Sequence, residues 1–137
     1  MFTQKFLIMA VLITLVAWGT ANAVSSKSDS PASLAGSWSG GGWVAFASGN
    51  KERARCHAHH SRAGSSSYEL SASCATASGK ASQTAIVHQT GANNFSGSFH
   101  NDEYNVSGTI HIAVHGNSQN VTLHGESASG SLVLSRR

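Results

Sequence analysis

The sequence predicts an all-β domain: an eight-stranded antiparallel up-and-down meander barrel with one cross-strand disulfide. Three observations carry this. After residue 33 the chain alternates apolar and polar side chains in short runs separated by Gly/Ser/Asn turns, and no stretch keeps a 3.6-residue apolar period. It is rich in Gly, Ser and Ala, only 11% charged, and has no proline after Pro31. Its two cysteines, Cys56 and Cys74, lie symmetrically about a Gly/Ser turn. Pairing the two runs as an antiparallel hairpin sets Ala58 opposite Ala72 and Cys56 opposite Cys74, where close, directly opposed side chains can form a disulfide.

Residues 1–23 read as an export signal. Lys5 supplies the basic start, Phe6 to Trp18 the apolar stretch, and Ala21-Asn22-Ala23 the small-x-small cleavage pattern. The apolar stretch is shorter than the roughly 20 residues of a membrane span. Residues 24–33 read as a flexible polar leader and 34–137 as a single β-barrel domain. No transmembrane segment is expected after signal cleavage. Export puts the protein in the periplasm or outside the cell, where two well-placed cysteines form a structural disulfide. The formal charge of +3 is mildly basic and falls short of a nucleic-acid signature.

Each strand follows from alternation. Val44 and Phe46 share one face, Trp43 and Ala45 the other, and a turn around Ser48-Gly49-Asn50-Lys51 sets Phe46 opposite Ala54 and Val44 opposite Cys56. On the next strand Ala54, Cys56 and Ala58 point inward, and Arg53, Arg55, His57 and His59 outward. After Gly64, Tyr68, Leu70, Ala72 and Cys74 turn in. A turn at Ser78-Gly79-Lys80-Ala81 then brings Ala85 and Val87 to face Cys74 and Ala72. Phe95, Gly97 and Phe99 lead to a turn at Asn101–Tyr104, and Val106, Gly108, Ile110, Ile112 and Val114 return on the inner face. Val121 and Leu123, then Leu132 and Leu134, complete the count. Simple sequential order with uniformly short links favours a barrel over a two-sheet sandwich, which needs a long connection, and closure removes exposed strand edges.

Leu34-Ala35-Gly36-Ser37-Trp38 opens the first strand. Its Gly-x-Trp resembles the first-strand motif of calycin-type barrels (lipocalins and avidins), and the resemblance implies that Trp38 closes the barrel base. The ligand-contact aromatics of avidins have no counterparts here, so biotin binding is not implied. Leu34–Gly42, Glu52–Cys56, Cys74 and Leu132–Arg136 together resemble small secreted alphaproteobacterial proteins. That likeness implies a bacterial envelope setting and brings no catalytic residue.

The candidate sites are a surface, an interior and a set of histidines. Arg53, Arg55 and His57 form an outward basic row with Trp43 beside His57 and Arg62 at the hairpin end, and Arg136 and Arg137 come near on barrel closure. Such a face suits an anionic envelope polymer such as lipopolysaccharide or a cell-wall glycan, or is simply a solvated strand face. Inside, small residues beside Phe46, Tyr68, Phe95 and Phe99 are expected to interdigitate and fill a narrow barrel. If a cavity remains, it takes a small apolar ligand, with Tyr68 as the polar handle. Eight histidines are many for this length. His57 and His59 leave one strand face at a chelating spacing but lack a third ligand, as do His111 and His124 if they are directly opposed. The alternative is polar filler on the outer face, and charging all eight in acid would strengthen adhesion to anionic polymers.

Enzyme signatures are thin. No inward carboxylate pair, nucleophile elbow or phosphate-binding loop appears, and Gly40-Gly41-Gly42 reads as a bend that lets a long first strand curl. No cofactor is expected. The sequence reading is a non-enzymatic exported binding protein, with two rivals: an inhibitor of a secreted hydrolase such as lysozyme, or a periplasmic metal-binding protein using His57 and His59.

Overall fold

Alternation in every run leaves each strand one apolar face, and the computed structural model, which describes residues 32–137, buries all of these faces in one interior. The strands are β1 (Gly36–Phe46), β2 (Lys51–Arg62), β3 (Ser67–Thr76), β4 (Gly79–Gly91), β5 (Asn94–Asn101), β6 (Val106–His115), β7 (Ser118–Gly125) and β8 (Ala128–Arg136). They pair antiparallel in chain order, and β8 returns to β1, so the barrel is closed. Among the described residues no helix is long and apolar enough to cross a membrane. The proposed export signal and most of the leader lie outside the described residues. Ala32 and Ser33, expected within the flexible leader, are instead tied to the barrel: the Ala32 N–H bonds the Ala92 carbonyl at 3.0 Å, and the Ser33 carbonyl accepts from Arg136.

The inward assignments hold throughout. Ala54, Cys56, Ala58, Tyr68, Leu70, Cys74, Ala85, Val87, Phe95, Phe99, Ile110, Ile112, Val114, Val121, Leu132 and Leu134 are buried. Cys56 pairs with Cys74 and Ala58 with Ala72, and the disulfide is formed across a Cα separation of 4.1 Å.

Three registers differ from expectation. Val44 faces Glu52 rather than Cys56, and Gly40 faces Cys56. Ala85 faces Leu70 and Val87 faces Tyr68, because β3 and β4 are linked by Ala77-Ser78 alone. His111 faces Thr122, and His124 faces Thr109, so the two histidines are not opposed. Each slip is by an even number of residues, which leaves every side chain on its expected face; only an odd slip would expose the core.

Gly40–Gly42 lies within the continuous strand β1, and its close approach to the neighbouring strands has a counterpart at Gly97 on β5 and Gly108 on β6. A Cβ at the inward positions Gly42 or Gly97 would lie 1.9 or 1.8 Å from a carbonyl oxygen of the neighbouring strand, on Ser131 and Ile86 respectively. These positions let the backbones approach closely where the sheet coils into a barrel.

One end of the barrel is plugged by aromatic residues. Trp38 is 1% exposed and its indole N–H donates to the Leu34 carbonyl at 2.9 Å. The Arg136 guanidinium covers the Trp38 ring at 4.2 Å and donates to the Ala35 and Ser33 carbonyls, each at 2.7 Å. Beside it, Tyr68 meets Phe95 edge-on at 5.5 Å, with Arg62 5.1 Å from the Tyr68 ring centre. This is the base-closing role that the Gly-x-Trp resemblance implied for Trp38.

A candidate ligand cavity and a basic outer face

The inward residues become small toward the other end of the barrel, where Ala81, Ala128 and Gly130 take the places that large side chains occupy at the plugged end. The interior is therefore packed in one half and hollow in the other, which corrects the expectation of a filled barrel. The hollow is an open-ended cavity of about 340 Å³. Val44, Phe46, Phe99, Val106 and Leu123 form its apolar wall, and Cys74 of the disulfide lies at its inner end. A void of about 40 Å³ beneath it shares Cys74, Gln83, Phe99 and Leu123 and reaches toward His60.

Tyr68 does not serve the cavity. It is buried in the plugged end, where its hydroxyl accepts from Arg62 Nη2 at 2.9 Å and donates to Ser33 Oγ at 3.4 Å. The polar side chains that line the cavity are those of Thr76, Gln83 and Asn101, with Ser48, Tyr104, Ser127 and Ser129 toward the rim. Gln83 Nε2 lies 3.3 Å from Cys74 Sγ, and Gln83 Oε1 is buried without a partner. Asn101 is 7% exposed and its Oδ1 accepts the Tyr104 backbone N–H at 2.9 Å. Both amides occupy inward positions of the alternation, and that parity is the signal by which sequence reading could have found them.

Asp102 and Glu103 lie in the β5–β6 turn and Glu126 in the β7–β8 turn, both at the open end. Glu103 accepts the Ser82 backbone N–H at 2.9 Å, and this bond holds its carboxyl below the ordinary range, so it stays ionised. Lys51 and Lys80 belong to the same end of the barrel.

A second polar group sits deep in the packed half. His60 is 3% exposed and stacks near Trp38 with ring centres 6.1 Å apart. Gln119, fully buried, donates through Nε2 to His60 Nε2 at 3.2 Å. His60 Nδ1 and Gln119 Oε1 have no partner. Burial lowers the His60 pKa below its ordinary 6.5, and nearby Arg136 adds to the effect.

On the outside, the predicted basic row is present but its neighbours change with the register. Trp43 faces Arg53, and His57 faces Ser39 on one side and Ser73 on the other. Trp43 is 44% exposed, with Lys51 Nζ 5.3 Å and Arg53 Cζ 5.5 Å from its ring centre. Arg55, His57 and Arg137 line the same shallow concavity, whose floor is Gly40–Gly42.

The histidines are largely engaged in cross-strand pairs. His59 bonds Ser37, His88 bonds Ser67, His111 bonds Ser96 and His100 bonds Ser107, each directly opposed, at 3.3, 2.7, 2.8 and 2.6 Å. His100 also meets Asp102 at 3.0 Å through its other ring nitrogen. Such pairs stabilise a sheet by about 0.2–1 kcal/mol each. Among the described residues no three His, Cys, Asp or Glu side chains converge on a metal position. His57 and His59 thus share a face without a third donor.

No family model matches this chain, and no curated protein matches it in sequence. Solved structures do. A de novo designed fluorescence-activating β-barrel superposes with a TM-score of 0.61 at 11% identity, over 80% of this chain and 98% of the other. The redesigned barrel mFAP1 bound to DFHBI gives 0.60 at 11% identity, over 76% and 94%. The redesigned barrel mFAP0 bound to DFHBI gives 0.62 at 11% identity, over 75% and 98%. At such identities the likeness is one of fold: this chain is similar to closed β-barrels.

Proposed function

We propose that the protein is an exported, non-enzymatic binding barrel that takes a small, mainly apolar molecule into its open end. The observation that carries this reading is the 340 Å³ apolar cavity, within the range of small-molecule sites and open at one end. Two similar barrels are described as bound to DFHBI, which supports ligand uptake by this architecture. The disulfide supports export to an oxidising compartment, periplasmic or extracellular, as does the resemblance to secreted alphaproteobacterial proteins. Titration of the oxidised protein with the neutral dye N-phenyl-1-naphthylamine is expected to give saturable fluorescence enhancement. Ala81→Trp, which fills the cavity, is expected to abolish it; enhancement unchanged by that substitution would sink the reading.

A second reading rests on Trp43. An exposed indole flanked by two cations, beside Arg55 and Arg137, suits sugar rings bearing phosphate or carboxylate groups. Retention on an immobilised anionic polysaccharide should fall with salt and with Arg53→Glu/Arg55→Glu. Retention that ignores both changes would rule it out.

A further inference from the structure

We infer that the basic outer face is a track for an extended, linear anionic glycan lying along β2, not a site for a single charged sugar. It rests on the reading of Trp43 and its flanking cations as a glycan site, and specifies the form of the ligand.

Lys51, Arg53, Arg55 and His57 leave β2 on its outer side, and all four are exposed. Outward positions on a strand recur every two residues, so these groups start about 7 Å apart and the row runs for about 20 Å. Arg137 joins its far end, where its Nε donates to Ser39 Oγ at 2.5 Å, opposite His57. Trp43 stands at the other end, within cation–π distance of Lys51 and Arg53.

Among the described residues none of these cations lies within ion-pair distance of a carboxylate. Their outward neighbours Ser39 and Gly41 on β1, and Ser73 and Ala75 on β3, are small and uncharged. The one carboxylate bordering the concavity, that of Glu52, takes an inward position of β2. It accepts a hydrogen bond from Ser78 Oγ and keeps its other oxygen buried. An edge strand uses exposed charge to block pairing, but β2 is paired on both sides in the closed barrel. The row therefore serves no such purpose here.

Charges about 7 Å apart lie within one Debye length of each other at physiological salt, so they repel. A single small anion meets at most two of them. A chain with a charge on each unit meets the whole row. Gly41, lacking a side chain, leaves a shallow floor beside Arg55 on which such a chain can lie. The hydroxyls of Ser39, Ser73 and Ser131 flank the row and suit those of sugar rings, while Trp43 offers a ring an apolar surface.

The test is calorimetric titration of the oxidised protein with oligogalacturonates of two, four and eight units at pH 7.5 and several NaCl concentrations. The quantity read is the slope of log affinity against log salt, which follows the number of ion contacts made. Unlike affinity itself, it is insensitive to the number of ways a longer chain can sit. The slope for the eight-unit chain is expected to be at least about twice that for the two-unit chain. Arg53→Ser and Arg55→Ser should each lower the eight-unit slope by about one. An eight-unit slope equal to the two-unit slope, or one unchanged in both variants, would overturn the inference. The length series is read on the unmodified protein, so it stands whatever the variants do. Binding without dependence on length defeats the track alone, whereas no binding by any chain at low salt defeats the glycan-site reading itself.

Discussion

The Arg136 guanidinium lies 4.2 Å over the Trp38 ring, so the last strand of the barrel is clasped to the first. The same guanidinium ties down the chain entry through the Ser33 and Ala35 carbonyls. One side chain thus seals the base, closes the β8–β1 seam and docks the segment before β1.

Replacing it should be costly for an arginine that is only half-buried. Arg136→Ala is expected to lower unfolding stability by about 2 kcal/mol, from the lost cation–π contact and two charge-assisted hydrogen bonds. Arg136→Lys should recover only part of this, because an ammonium cannot reproduce the two-pronged fork. Urea unfolding of the three proteins checks the order.

The Cys56–Cys74 bond closes a segment with a sequence separation of 18. Its removal by Cys56→Ala/Cys74→Ala should cost about 3 kcal/mol, mainly by freeing the unfolded chain. The protein with both alanines should show no further loss in a thiol reductant, whereas the unmodified protein should fall to near the same midpoint. Equal midpoints of the unmodified protein with and without reductant would contradict this.

His60 makes stability depend on pH. Its folded pKa lies below the ordinary 6.5, so on acidification the unfolded chain takes up the proton first. The contribution of the neutral, buried ring is therefore complete above about pH 6.5 and declines as pH falls from there toward the folded pKa. Thermal midpoints are expected to drop between pH 7.5 and 5.5, and His60→Gln should make that drop shallower. A drop of the same size in the variant would contradict this assignment.

Gly97 and Gly64 make a matched pair. A Cβ on Gly97 meets the Ile86 carbonyl oxygen at 1.8 Å, while one on Gly64 finds nothing nearer than the Ser67 Cβ at 3.7 Å. Gly97→Ala is expected to destabilise by about 2–4 kcal/mol, as overpacking against backbone that cannot yield. Gly64→Ala should stay within about 0.5 kcal/mol. Denaturation midpoints for the two variants provide the comparison.

Alternation and turn chemistry alone determined the number of strands, their order, and which side of each strand faces inward. The reason is that side chains on a strand repeat every two residues, so a wrong face would bury charge along a whole strand. The same logic explains which registers were legible. The β2–β3 register was, because a covalent bond demands that Cys56 stand opposite Cys74. The β1–β2, β3–β4 and β6–β7 registers were not, because an even slip satisfies the face pattern equally well and the choice falls to turn geometry. The slip moved Trp43 from His57 to Arg53, and so remade the neighbourhood of the basic face.

Only the tertiary structure decided how the interior is used. Inward position says that Tyr68, Gln83, His60 and Gln119 leave the solvent-facing surface, but not at which height along the barrel each one sits or what it meets there. Height follows from the combined stagger of eight strands, a property of the closed sheet that no single hairpin carries. That stagger sends Tyr68 into the plugged end, leaves small residues at the open end, and brings Gln83 beside the disulfide at the inner end of the cavity.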